Sequence, residues 1–164
     1  MHGPMDFDER LRRAIQRGSR RRDLREEKSA EHTLTQEELR SLHTQYRLKL
    51  SEKIEACLSR LPDHFPGFKH ETLMGEQGWG AAVSRDDVGL AAGARDNFYS
   101  RLEMVVRPYA AYHVLELAAK GTIRNREAFN RKHFQKLDEV DLDTFEELID
   151  IWVVEYAELY ATKE

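Results

Sequence analysis

Cysteine, proline and long apolar runs are scarce in this sequence of 164 residues. Its one cysteine, Cys57, excludes an internal disulfide framework and the paired-cysteine motifs of redox and zinc-ribbon proteins. No window approaches about 18 consecutive apolar residues, so the sequence predicts no membrane-spanning helix. The first nine residues lack the basic and then apolar pattern of a secretory signal. We therefore expect a cytoplasmic protein.

Recognisable catalytic and nucleotide-binding motifs are also lacking. The glycine-rich run at residues 75–80 contains neither the GK[ST] element of a P-loop nor the GxGxxG spacing of a dinucleotide site. No nucleophile elbow such as GxSxG flanks Ser84 or Ser100. Cys57 falls on the apolar side of a predicted helix, where an inert thiol is expected. The seven histidines form no recognised metal-ligand spacing; they are His2, His32, His43, His64, His70, His113 and His133. We predict no cofactor and favour a non-enzymatic protein.

Charge is distributed unevenly along the chain. Residues 1–28 carry a net charge of +3, whereas residues 137–164 carry −9. The basic end is rich in arginine, at Arg10, Arg12, Arg13, Arg17, Arg20, Arg21, Arg22 and Arg25. Such opposite ends can attract each other within or between protomers, and clustered arginines can also bind nucleic acid. Acidic residues interleave with these arginines and no aromatic residue alternates with them, so a protein-binding or solvated arm is favoured.

The first 30 residues form a basic arm that we expect to be helical or partly disordered. Their apolar stripe is thin, and Gly18 and Ser19 interrupt it, so the second half should fray unless something docks on it. Residues 31–164 are predicted to form a single domain.

Two longer helices are predicted within that domain. Thr35 and Glu38 fit a capping box that starts a helix over residues 36–61, and Pro62 ends it. At about 39 Å this helix is longer than a compact domain needs, so part of it could meet a second copy. A C-terminal helix begins at a capping Asp143, and its apolar residues from 145 to 160 recur at three- and four-residue steps. This helix should pack across a sheet.

The region between the helices shows strand signals. Residues 68–74, 79–84 and 88–92 predict short strands, with a turn at residues 85–87. Residues 98–107 and 112–124 alternate in polarity and predict a hairpin with a four-residue loop, Pro108 to Ala111. A helix over residues 108–120, capped by Gly121, competes with this hairpin. Residues 126–134 are predicted to form a short helix.

The hairpin register brings two carboxylates together. Pairing Arg107 with Tyr112 sets Met104 opposite Leu115 and Leu102 opposite Leu117, and it sets Glu103 opposite Glu116. Like charges directly across a strand pair are destabilising unless something neutralises them. Either the neighbouring cations Arg101, Arg107 or Lys120 screen the pair, or the two carboxylates share a proton or hold a cation.

These patterns together predict an α+β domain with two N-terminal helices, an antiparallel sheet of about four strands, and a C-terminal helix on the sheet. The favoured function is an interaction or scaffold protein that forms a homo-oligomer, as a dimer, through the helix 36–61, while the basic arm contacts an acidic protein partner. One alternative is nucleic-acid binding by the arm. Another is a small-ligand or metal site, or an enzyme, on the face that carries Glu103 and Glu116.

The nucleic-acid alternative predicts a salt-sensitive interaction. If the arm binds phosphates, labelled DNA or RNA oligomers should bind the full chain, bind less tightly as salt rises, and not bind a chain lacking residues 1–30. Fluorescence anisotropy at two salt concentrations measures this. Absence of binding to the full chain at low salt would contradict the alternative.

Overall fold

The core of the protein is a five-stranded antiparallel sheet with helices packed on one face. The structure is a computed structural model, and it describes residues 6–30, 34–91 and 94–163. The helices are α1 (Phe7–Ala30), α2 (Gln36–Leu58), α3 (Leu61–His64) and α4 (Leu142–Lys163). The strands are β1 (Lys69–Gly75), β2 (Gly78–Ala91), β3 (Ala94–Val106), β4 (Val114–Ile123) and β5 (Arg126–Lys136), followed by a 3-10 turn over Leu137–Glu139. They pair as a meander in chain order. The predicted α+β class is confirmed, with five strands where about four were expected.

The fifth strand replaces the short helix predicted over residues 126–134, and that prediction was wrong. Arg124 and Asn125 have φ values of 49° and 70°, which allow a two-residue turn to reverse the chain directly from β4 into β5. The Asn125 side chain holds this turn, since its oxygen accepts a 2.8 Å hydrogen bond from the Tyr99 N–H. β5 then pairs with β4 along its length.

The turn predicted at residues 85–87 was also wrong, because β2 passes through these residues without a break. Asp86 pairs with Tyr99 of β3, and the Arg85 guanidinium reaches Asp87 along the strand at 2.8 Å. The three charged side chains are compatible with a strand because they pair with each other or face solvent. The predicted strand over residues 88–92 is the end of β2, and residue 92 lies outside the described residues.

The β3–β4 register differs by four residues from the predicted one. Met104 pairs with Ala119 and Leu102 pairs with Gly121, and the connection spans residues 107–113 rather than the four residues Pro108 to Ala111. This longer connection includes His113 at φ 56°, a conformation that the sequence pattern does not signal. The competing helix over residues 108–120 does not form. Because the register is displaced by an even number of residues, every side chain stays on its predicted face of the sheet. The four apolar residues of the predicted hairpin are accordingly buried: Leu102, Met104, Leu115 and Leu117.

The core lies between this buried face and helices α2 and α4. The predicted capping box is present, since the Thr35 hydroxyl accepts from the Glu38 N–H at 3.1 Å. α2 ends at Leu58, and Pro62 lies in the first turn of α3, so Pro62 does not terminate α2. α4 begins at Leu142, one residue before the predicted cap, Asp143. The side chain that accepts a hydrogen bond at the start of this helix is Asp141 rather than Asp143, and the donor is the Asp143 N–H. Six α4 residues are buried: Phe145, Ile149, Trp152, Val153, Tyr156 and Tyr160.

The approach of β3 to β2 demands glycine at residue 80. A Cβ atom at Gly80 would overlap the backbone carbonyl oxygen of Met104, and a backbone atom cannot move aside as a side chain can. Gly18 in α1 is the opposite case, because nothing lies within 4 Å of a Cβ built there.

We therefore expect Gly80→Ala to lower the free energy of unfolding by about 1–3 kcal/mol, the usual cost of overpacking. Gly18→Ala is the matched control and should stabilise α1 by up to about 1 kcal/mol, because alanine favours helix. Urea unfolding followed by circular dichroism measures both. Wild-type stability in Gly80→Ala would contradict the close approach of the strands.

Candidate interaction surfaces

The basic arm contacts the acidic end of its own chain. The Arg17 guanidinium forms an ion pair with Glu147 of α4. Arg20 reaches two carboxylates, with Nη1 at 2.9 Å from Asp143 and Nη2 at 3.4 Å from Asp141. Arg17 and Arg20 flank Gly18 and Ser19 in α1. The second half of the arm, which we expected to fray unless something docks on it, therefore has a docking partner in the acidic residues at and near the start of α4.

Asp141 is the most buried acid in this contact, with a side chain only 6% exposed. One carboxylate oxygen accepts from the Asp143 N–H at 3.1 Å, and the other faces Arg20. The Asp141 N–H itself donates to Gln135 Oε1 of β5 at 2.7 Å. Because a buried carboxylate is costly without a partner, Arg20 stabilises the junction at which β5 leads into α4.

Two further arginines of the arm form ion pairs within α1 itself. Arg13 lies 3.7 Å from Glu9, and Arg22 lies 3.9 Å from Asp23, both within α1. The structure describes all eight arginines predicted as binding residues, and Arg17 and Arg20 form ion pairs with the acidic C-terminal region. Three apolar side chains in the first half of α1 are exposed: Phe7, Leu11 and Ile15.

A second surface is a groove of about 530 Å³ between α2 and β1. Leu48 of α2 and Met74 of β1 line it and are 52% and 77% exposed, respectively. The Arg47 guanidinium lies 4.1 Å above the Trp79 ring, a cation–π contact that holds both side chains at the groove. β1 is an edge strand, so the backbone groups on one side of it have no partner in the sheet. The groove thus combines exposed apolar side chains with an unpaired strand edge.

The third surface is the sheet face opposite the helices, and here the predicted carboxylate pair was wrong. Glu103 lies opposite Lys120 and 3.6 Å from Arg101, whereas Glu116 lies 3.9 Å from Arg107. The four-residue change in register places the two carboxylates about 14 Å apart along the strands. They cannot share a proton or a cation, and each lies beside cations of its own.

Candidate catalytic groups are dispersed in the described part of the chain. The Cys57 thiol donates to Asp150 at 3.5 Å, and burial raises its pKa, which disfavours the reactive thiolate. His43 is buried and donates from Nε2 to the Arg107 carbonyl oxygen at 3.1 Å, and burial lowers the pKa of its ring. No group of three potential metal ligands occurs among residues 6–30, 34–91 and 94–163, and His2 and His32 lie outside these ranges.

Comparison with known proteins adds no assignment to these surfaces. No protein-family model, no curated protein and no solved structure matches the chain. Over the described ranges, none of the helices is long and apolar enough to cross a membrane.

Sequence reasoning missed two parts of these surfaces. Leu48 lies within the predicted helix over residues 36–61, but its exposure beside Met74 depends on where β1 packs. Lys132 and Phe134 lie within the helix predicted over residues 126–134. Exposure alternates along β5 in the structure, but residue polarity does not, because Arg131 and His133 lie on one face and Phe134 lies on the other. The sequence therefore has no period-2 signal that could have placed Lys132 and Phe134 on the open sheet face.

The contact between arm and acidic end can be tested by hydrogen exchange. The double variant Arg17→Gln/Arg20→Gln removes the cations that face Asp141, Asp143 and Glu147, so amides of residues 17–27 should exchange roughly five- to thirtyfold faster, equivalent to about 1–2 kcal/mol. Arg10→Gln/Arg12→Gln removes the same charge from the first half of α1 and should leave residues 17–27 unchanged. Equal effects of the two double variants would show that α1 is held by something else.

Proposed function

We propose that this chain is a non-enzymatic interaction protein that self-associates through α2, with the groove between α2 and β1 as the contact surface. The groove itself carries the proposal, because exposed Leu48 and Met74 line it together with Trp79. Apolar side chains clustered at a surface groove mark an interaction site more often than isolated ones do. The proposal places the protein in the cytoplasm, where the thiol of Cys57 stays reduced.

Charge along α2 favours a second copy as the occupant. Arg47 lies at the N-terminal end of the groove, whereas Glu52 and Glu55 lie toward its C-terminal end. In an antiparallel pair of α2 helices related by a two-fold axis, the basic end of each copy meets the acidic end of the other. The surface is therefore complementary to itself.

Rigidity favours α2 over α1 as the contacting helix. The buried face of α2 packs into the core through Leu50, Ile54 and Leu58, each 0% exposed. The exposed stripe of α1, by contrast, belongs to the half of that helix that precedes its ion pairs with α4. A surface that is already ordered loses less entropy on association.

The basic arm contributes a second feature of the proposal. Arg17 and Arg20 already contact acidic residues of the same chain, so they support an arm that stabilises the protomer. Arg10 and Arg12 lie in the first half of α1, before these ion pairs. In the proposal, they contact an acidic surface of a protein partner. Nucleic-acid binding by the arm stays an alternative that the oligonucleotide experiment addresses.

Self-association predicts a dimer in light scattering at tens of micromolar. Leu48→Glu or Met74→Glu places an unpaired charge in the contact and should weaken the dimer at least tenfold, while circular dichroism stays unchanged because both side chains are exposed. Val154→Glu is the matched control, since Val154 of α4 is 64% exposed and lies outside the groove.

Two results would contradict the proposal. One is a strictly monomeric wild-type protein at tens of micromolar. The other is a dimer that Leu11→Glu disrupts and Leu48→Glu does not, which would place the contact on α1.

A further inference from the structure

The open sheet face carries a regular grid of side chains on β3, β4 and β5. Residues paired across neighbouring antiparallel strands point to the same face, so the register defines three rows. The first row is Glu103, Lys120 and Asn130, and the second is Val105, Ala118 and Lys132. The third row lies just past the end of β3, where the Arg107 N–H donates to the Glu116 carbonyl and Glu116 pairs with Phe134. The helices of the core pack on the opposite face.

The middle of this grid is a shallow apolar floor. Val105 is only 7% exposed and Ala118 is half-buried, while the longer polar side chains around them form a rim. The resulting cavity has a volume of about 340 Å³ and is also lined by Gln77 from the turn between β1 and β2. This volume lies at the lower end of the range for small-molecule sites, roughly 300–1,000 Å³.

Positive charge exceeds negative charge around the floor. Glu103 and Glu116 lie beside Arg101 and Arg107, respectively. Within the part of the chain that the structure describes, Lys120 and Lys132 have no carboxylate within 4.0 Å. They are diagonal neighbours on adjacent strands, so their backbone positions are separated by roughly 7–8 Å and their side chains can reach one common anion.

The side chains beside the two lysines add hydrogen-bonding groups. Asn130 pairs with Lys120, and its amide can both donate and accept. Gln77 accepts from Arg107 Nη1 through Oε1 at 3.0 Å, which leaves its amide N–H groups as donors. A ligand that matches this face therefore has an anionic end, a flat apolar body and polar edges.

We propose that this face binds a nucleotide, with the phosphate between Lys120 and Lys132 and the flat part of the ligand on the Val105 and Ala118 floor. Free mononucleotides and single-stranded nucleic acid share this chemistry. Phe134, which is 63% exposed and two residues from Lys132, offers a stacking surface for a further base when the ligand is a strand. The site is independent of the α2 groove and of the arginines of the arm.

Isothermal titration calorimetry on the full chain tests the proposal with three probes: AMP, inorganic phosphate and a deoxythymidine oligomer of ten nucleotides. AMP should bind at least tenfold more tightly than inorganic phosphate, because phosphate alone cannot use the apolar floor. Lys120→Gln/Lys132→Gln should weaken AMP binding at least tenfold, and Lys120→Arg/Lys132→Arg should retain it. The matched control Lys49→Gln/Lys69→Gln removes the same charge from exposed positions on α2 and β1 and should bind as wild type does.

The two sources of the ligand are distinguished by the oligomer. Tighter binding of the oligomer than of AMP, reduced by Phe134→Ala and by the double lysine variant, identifies single-stranded nucleic acid; otherwise a free nucleotide is the ligand. The proposal is overturned if neither AMP nor the oligomer binds at millimolar concentration, if AMP and phosphate bind equally, or if the glutamine variant, folded by circular dichroism, binds AMP as wild type does. Oligomer binding that the lysine variant leaves intact would belong to the arginine-rich arm.

Discussion

Burial of one face of the meander beneath α2 and α4 is the interaction on which the rest of the structure depends. Leu102, Met104 and Leu117 on the sheet and Phe145 on α4 are each 0% exposed, and burying a side chain of this size contributes roughly 1.5–3 kcal/mol. Because α2 and α4 cover the same face, no helix of the described residues packs on the other face of the sheet. The same packing leaves the edge of β1 beside α2, which creates the groove.

Electrostatics then organises what the apolar core leaves outside. The opposite charges at the two chain ends meet within one protomer, where Arg20 lies beside the buried carboxylate of Asp141. On the open face, Arg101 and Arg107 lie beside the two glutamates and leave Lys120 and Lys132 around an apolar floor. The predicted pairing of Glu103 with Glu116 is thereby replaced by an excess of positive charge on this face, and the change follows from a four-residue difference in register.

Features governed by local physical chemistry were predicted well. The Thr35 capping box forms because its two hydrogen bonds involve residues only three apart. The buried faces of β3 and β4 were predicted because alternation along a strand determines which side chains share a face. Residues 85–87 and 126–134 were predicted wrongly because charged residues also occur within paired strands, and because the turn at Arg124 and Asn125 lacks the usual glycine.

The sequence by itself determined the α+β class, the start of α2 and the face on which each β3 or β4 residue lies. Only the tertiary structure decided which residues lie opposite each other, and so where Glu103, Lys120 and Lys132 meet their neighbours. The physical reason is that each strand carries its own alternation, whereas register depends on the connection over residues 107–113. That connection is held by distant partners, since the buried ring of His43 on α2 donates to the Arg107 carbonyl and the Leu137 N–H donates to the His113 carbonyl.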